Sequence, residues 1–172
     1  MLQLPPQSFD THTLWLDVPA DLSRPRARQE QNQATPLRIA RPFGEPGNAK
    51  GSPDFAQGCD FAGALHAVEY AAIGILPLFA MCDRLDIGGV STPAHPDTGL
   101  PQIFIYDAAP GGAGITEKGF ALLPQLLAAT REAIERCPCT AGCPSCIQSP
   151  KCGNNNEPLD KRGAIMLLEA IL

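Results

Sequence analysis

Residues 137–152 read Cys-Pro-Cys-Thr-Ala-Gly-Cys-Pro-Ser-Cys-Ile-Gln-Ser-Pro-Lys-Cys, and they hold five of the seven cysteines in a chain of 172 residues. Cys143 and Cys146 have the C-x2-C spacing, which lets two thiolates face one ion from a tight turn. Cys137 and Cys139 form a C-x-C pair just upstream, and Gly142 with the flanking prolines shapes the turn between the pairs. Four converging thiolates suit Zn²⁺, which favours soft sulfur and imposes no geometry of its own. The two close pairs make Cys137, Cys139, Cys143 and Cys146 the preferred ligands. Cys152 stands in reserve for one of the C-x-C pair. Such a closed site is structural, since no position is left for water or substrate. An iron–sulfur cluster ranks second. A redox C-x2-C ranks lower, because the pair does not open a helix after a strand.

On either side of the cluster the pattern is helical. Ile115 to Arg136 carries Phe120, Leu123, Leu127 and Ile134 at helical spacing, with Pro124 near its start. Leu159 to Leu172 places Ile165, Leu168 and Leu172 on one face. The metal loop therefore lies between the last two helices and would staple them together. Binding energy would then be folding energy for that corner, so chelation should loosen residues 137–172 before the Leu65–Phe79 core.

Further upstream, residues 59–82 repeat Leu65, Val68, Ala72, Ile75, Phe79 and Cys82 at three- and four-residue intervals. Asp60 is placed to cap this helix, and Pro77 should kink or split it. Gly88-Gly89 ends the segment, and residues 91–101 read as a turn-rich loop. Gln102 to Tyr106 is a short buried strand with Asp107 at its end. Residues 9–18 form another strand, closed by Pro19. The expected fold is α+β: one helix-dominated domain with a few short strands. Its expected parts are a strand segment at 1–23 packing on the domain, a Pro/Gly/Arg-rich flexible linker at 24–58, and the zinc-binding domain at 59–172.

Net charge is −5, and the acidic excess lies in residues 54–136, so the chain as a whole is no basic nucleic-acid binder. The longest apolar stretch, Ala71 to Cys82, is interrupted by Pro77 and has the length of a core helix, so no membrane association is expected. The first ten residues lack a basic n-region and an apolar h-region. Cytoplasmic placement follows as an expectation, and there cysteines read as ligands or buried thiols. Cys59 and Cys82 are expected as small buried hydrophobes.

Two other clusters deserve weighing. His66 and Glu69 lie one turn apart, followed by Asp83 and Asp86. A core histidine satisfied by a carboxylate, beside a solvated acidic loop, outranks a polar contact site. Gly111-Gly112-Ala113-Gly114 precedes a helix and could cradle a phosphate. No P-loop Lys follows, however, so a tight turn is the better reading. The 172 residues contain no Walker A Gly-Lys-Thr and no Asp-Glu-x-His box, so no enzymatic activity is expected of this chain.

Three stretches in order, HAVEYAAIGILPLFAMCDRLDIGGVST (66–92), IFIYDAAPGGAGITEKGF (103–120) and CPCTAGCPSCIQSPKCGNNNEPLDK (137–161), resemble the C-terminal zinc-binding region of MrfA-type DEAD/DEAH-box helicases. FDTHTLWLDVP (9–19) is similar to the segment just ahead of it, whereas 24–58 matches no part of the family. The resemblance implies full-length ATP-dependent 3′→5′ DNA helicases of superfamily 2 linked to DNA repair. It also implies helicase motor domains in cis or in trans as partners, with DNA reached through that assembly. The family's C-x-C and G-C-x-x-C pattern falls on Cys137, Cys139, Cys143 and Cys146. The alternative is a stand-alone interaction module docking on a separate helicase or nuclease.

Overall fold

The fold is built around one apolar helix whose start is fixed by Asp60. In the computed structural model, which describes residues 9–19, 22 and 59–172, helix α1 spans Phe61–Ile75. The Asp60 carboxylate accepts from Ala62 N at 3.1 Å and caps its first turn. Pro77 cannot donate a backbone hydrogen bond, so the helix breaks at Leu76 and restarts as α2, Pro77–Ala80. The predicted stripe of α1 is broader than one face. Ala64, Ala67 and Ala71 are as buried as Leu65 and Val68, because other elements close on α1 from several sides. By length and composition Phe61–Ala80 would also reach across a membrane, but in this fold its residues are shared between two hydrophobic cores.

Three antiparallel strands pack against it in the order β1-β3-β2: β1 is Thr13–Asp17, β2 is Ile87–Thr92 and β3 is Gln102–Asp107. Strand β1 is shorter than the expected 9–18. Strand β2 departs from the sequence reading, in which Gly88-Gly89 ends the segment; the loop expected at 91–101 begins only after Thr92. The glycines belong to the strand for packing reasons. Gly88 pairs with Tyr106, and a Cβ there would lie 2.3 Å from the Tyr106 ring. A Cβ on Gly89 would lie 2.7 Å from Ile73 and 2.8 Å from Glu69, so its absence lets α1 lie close on β2.

After β3 the chain turns into α3, Ile115–Ala121, and then α4, Leu123–Arg136. The predicted single helix is thus two, broken at Leu122. Leu123, Leu127 and Ile134 are buried as expected, but Phe120 is exposed. Helix α5, Lys161–Ile171, packs on both α1 and α4. Its buried face is Ala164, Leu167, Leu168 and Ile171, rotated from the expected one, and Leu172 is exposed. The Cys-rich loop connects α4 to α5, as read from the sequence. The proposed linker 24–58 and residues 1–8 lie outside the described residues.

Candidate metal centre

Helix α4 ends at Arg136, and the next residue begins the cluster. Cys137 Sγ lies 3.6 Å from Cys139 Sγ and 3.5 Å from Cys143 Sγ. Cys139 Sγ lies 3.5 Å from Cys146 Sγ, and Cys143 Sγ lies 3.8 Å from Cys146 Sγ. All four sulfurs fall within 4.8 Å of one another. A zinc–sulfur bond of about 2.3 Å gives a tetrahedral sulfur–sulfur edge of about 3.8 Å. These separations are far too long for disulfides and close to that edge, so the donor set fits a tetrahedral thiolate-bound ion.

The backbone serves the same geometry. Cys143 N donates to Cys146 Sγ at 3.3 Å, the turn expected of a C-x2-C pair. Gly142 sits at φ +113°, and a Cβ there would lie 2.5 Å from Ile147 Cδ1. Ile147 itself is wholly buried in the main core beside Cys146. The loop is therefore anchored from below by an apolar side chain. Burial pushes the Cys146 thiol up to about 12. Burial also raises Cys139, but hydrogen bonds from Cys146, Cys137 and Cys143 outweigh it and bring that thiol down to about 7. A cation among the sulfurs lets all four ionise at once, and zinc supplies it.

One residue that sequence reasoning missed completes the site. Lys161, the first residue of α5, is buried. Its Nζ donates to Cys137 O at 2.6 Å and Cys139 O at 2.7 Å, and lies 3.5 Å from Cys139 Sγ. A four-thiolate zinc centre carries a net charge of about −2, and this ammonium offsets part of it. No spacing rule points from the cysteines to a lysine 22 residues after Cys139. Asp160, just before it, caps α5 by accepting from Gly163 N at 2.7 Å and also accepts from Asp60 N at 2.7 Å. The starts of α1 and α5 are thereby tied together.

Cys152 does not join the four. Its sulfur lies beside His66 Nε2 at 3.9 Å, on the face of α1. The loop reaches that place because Lys151 Nζ donates to the carbonyls of Arg84, Leu85 and Ile87. His66 meets Pro158 O through Nδ1 rather than a carboxylate. Glu69 is buried and faces Ser91; burial, opposed by that hydrogen bond, raises its pKa to about 7. Asp83 and Asp86 are separate from this cluster. They cap each other across the short 3-10 turn Arg84–Asp86. The Gly111–Gly114 turn holds no free anion cradle. The Asp107 carboxylate accepts from Ala113 N, Ile115 N and Thr116 N, and Gly111 N and Gly112 N donate to Asp10 O and Ala109 O, so most of the turn's amide donors are already used. Cys59 and Cys82 are half-buried, each packed against a core cluster.

Comparison with known proteins places this geometry in context. Residues 68–147 match the family described as the MrfA Zn-binding domain, a span that includes all four clustered cysteines. An uncharacterized protein of Methanocaldococcus jannaschii is 40% identical over 111 residues, which is 63% of this chain and 99% of that protein. The ATP-dependent helicase YprA of Bacillus subtilis is 47% identical over 73 residues, 42% of this chain but 10% of the helicase. The ATP-dependent helicase HRQ1 of Saccharomyces cerevisiae is 30% identical over 121 residues, 64% of this chain and 11% of the helicase. A crystal structure of the DUF1998 helicase MrfA bound to DNA superposes with a TM-score of 0.55 at 32% identity, covering 69% of this chain and 16% of the helicase. The chain thus spans nearly all of one relative and a small part of the helicases.

Proposed function

The chain belongs to the MrfA zinc-binding domain family, and from that membership we propose that it serves a superfamily 2 DNA-repair helicase as a zinc-stapled accessory domain without a motor of its own. The observation that carries this reading is the sulfur tetrahedron inside the stretch shared with the family. Cys137, Cys139, Cys143 and Cys146 are the ligands in this reading, and the closed set makes the metal structural. The helicase acted upon would be ATP-dependent and move 3′→5′ on DNA. In this reading the domain works in the reducing cytoplasm, where cysteines serve as metal ligands or buried thiols rather than as disulfides.

Zinc analysis of single Cys→Ser variants tests the ligand set. Each of the four should lose most of its zinc, while Cys152→Ser keeps a full equivalent. Loss of zinc on replacing Cys152, with zinc retained on replacing one of the four, would overturn the assignment. The helicase role is tested by replacing the matched segment of the Bacillus subtilis helicase with this chain. A chimera that is folded and zinc-loaded should unwind DNA, and one that does not counts against the role.

A second reading has its own support. The Methanocaldococcus protein is covered almost end to end, so the domain also occurs as a separate polypeptide. In that form it would dock on a motor in trans. Co-elution with a helicase lacking this segment, from the same genome, is the result that reading requires.

A further inference from the structure

Outside the metal centre, the densest cluster of chemistry-bearing side chains sits where the Cys152 loop crosses α1. We propose that Cys152 and His66 form a nucleophilic thiolate–imidazolium pair, a site of covalent modification by small, soft carbon electrophiles. His66 Nδ1 lies 3.1 Å from Pro158 O, and a carbonyl can only accept. Nδ1 therefore carries the ring proton, and the Nε2 lone pair faces Cys152 Sγ at 3.9 Å. A nucleophile, a base within reach and a third group orienting the base make up the arrangement that activates thiols. The sulfur is further cradled by Asn154 N at 3.3 Å and Asn156 N at 3.1 Å, and the Tyr70 hydroxyl is hydrogen-bonded to it. Asn156 is itself held in place, since its Oδ1 accepts from Ser149 N at 2.7 Å.

The site borders a cavity. A cavity of about 320 Å³ is lined by His66, Glu69, Tyr70, Ser91 and Asn154, and Cys152 itself is only half-buried. Besides its own loop, three groups face the sulfur: the Tyr70 hydroxyl favours the thiolate, the Glu69 carboxylate opposes it, and His66 Nε2 stands beside the thiol at 3.9 Å. Burial raises the Cys152 thiol, but the Tyr70 hydroxyl and the Asn156 and Asn154 amides outweigh it, and the net is below the ordinary value. Cys59 and Cys82, both raised chiefly by burial, provide internal references. In the reaction, His66 Nε2 takes the Sγ proton. The sulfur lone pair then forms the S–C bond as the carbon–halogen bond breaks, and halide leaves.

Iodoacetamide is the probe, applied to the zinc-loaded chain across pH, with each cysteine quantified by peptide mass mapping. The Cys152 rate should inflect at a lower pH than those of Cys59 and Cys82. Each unit by which its pKa falls should make Cys152 about threefold faster at neutral pH, since the gain in thiolate exceeds the loss in nucleophilicity. His66→Gln and Tyr70→Phe should each move the Cys152 inflection upward and leave Cys59 unchanged. Two variants keep the test valid should one disturb folding; retained zinc and an unchanged Cys59 rate show that a variant is folded. The proposal is overturned if Cys152 titrates with Cys59 and Cys82, or if neither variant moves its profile. It is equally overturned if Cys152 is shielded by a second zinc equivalent that Cys152→Ser releases.

Discussion

Lys161 shows how much a single residue can do at a site it does not ligate. Its ammonium reaches two carbonyls and one sulfur of the cluster while its backbone begins α5. It ties the metal loop to the last helix by charge rather than by coordination. Lys161→Met keeps the length and removes the charge and the donors. Zinc affinity, measured by chelator competition, should fall about 10- to 100-fold, the usual cost of removing an outer partner of a metal ligand. An unchanged affinity would mean that the buried ammonium does not feel the thiolates. The cysteine cluster was legible from spacing, with Cys152 left as an alternative ligand, because C-x-C and C-x2-C pairs encode local turns. Lys161 was not, because its contact exists only once α5 has folded back onto α4.

At the scale of elements, Asp107 joins a strand to a helix. It closes β3 and accepts from three backbone amides around the first turn of α3. Burial raises its pKa, but the Thr116, Ala113 and Ile115 amides lower it further, so it remains a carboxylate below the usual range. Asp107→Ala should cost about 2–3 kcal/mol in denaturant unfolding, because buried amides lose a charged acceptor. A loss below half a kcal/mol would show that water replaces the carboxylate. The existence of the helices and the break at Pro77 were readable in the sequence, since a missing N–H is a property of the residue itself. Strand β2 was not. Gly88 and Gly89 look like a terminator until the Tyr106 ring and α1 are seen to fill the space their side chains would need.

For the molecule as a whole, α1 is the shared wall. It contributes Leu65 and Val68 to the core that includes Ile147 and α5, and Ile73 and Ala72 to the core under β2 and β3. The metal loop is thus not a detachable corner, because Ile147 ties it to the centre. Chelation should remove hydrogen-exchange protection first from residues 137–160, then from α5, and last from Ala72–Leu76. Equal protection with and without chelator would mean that the metal adds nothing to folding. Simultaneous collapse of α1 would mean that the two cores unfold as one unit.

Local chemistry was enough to read the cysteine-rich loop, helical segments on either side of it and the Asp60 cap, and three short motifs in order carried the resemblance to the family. Each of these depends on residues close in sequence. Tertiary structure alone decided that Cys152 belongs with His66, that Lys161 faces the sulfurs, and that Asp107 fills the apparent phosphate cradle. Those pairings join residues 86, 22 and up to 9 positions apart, respectively. The reason is physical. Ligand spacing and helix periodicity are short-range constraints on one chain segment, whereas the partner of a buried charge or thiol is whichever group packing brings within reach.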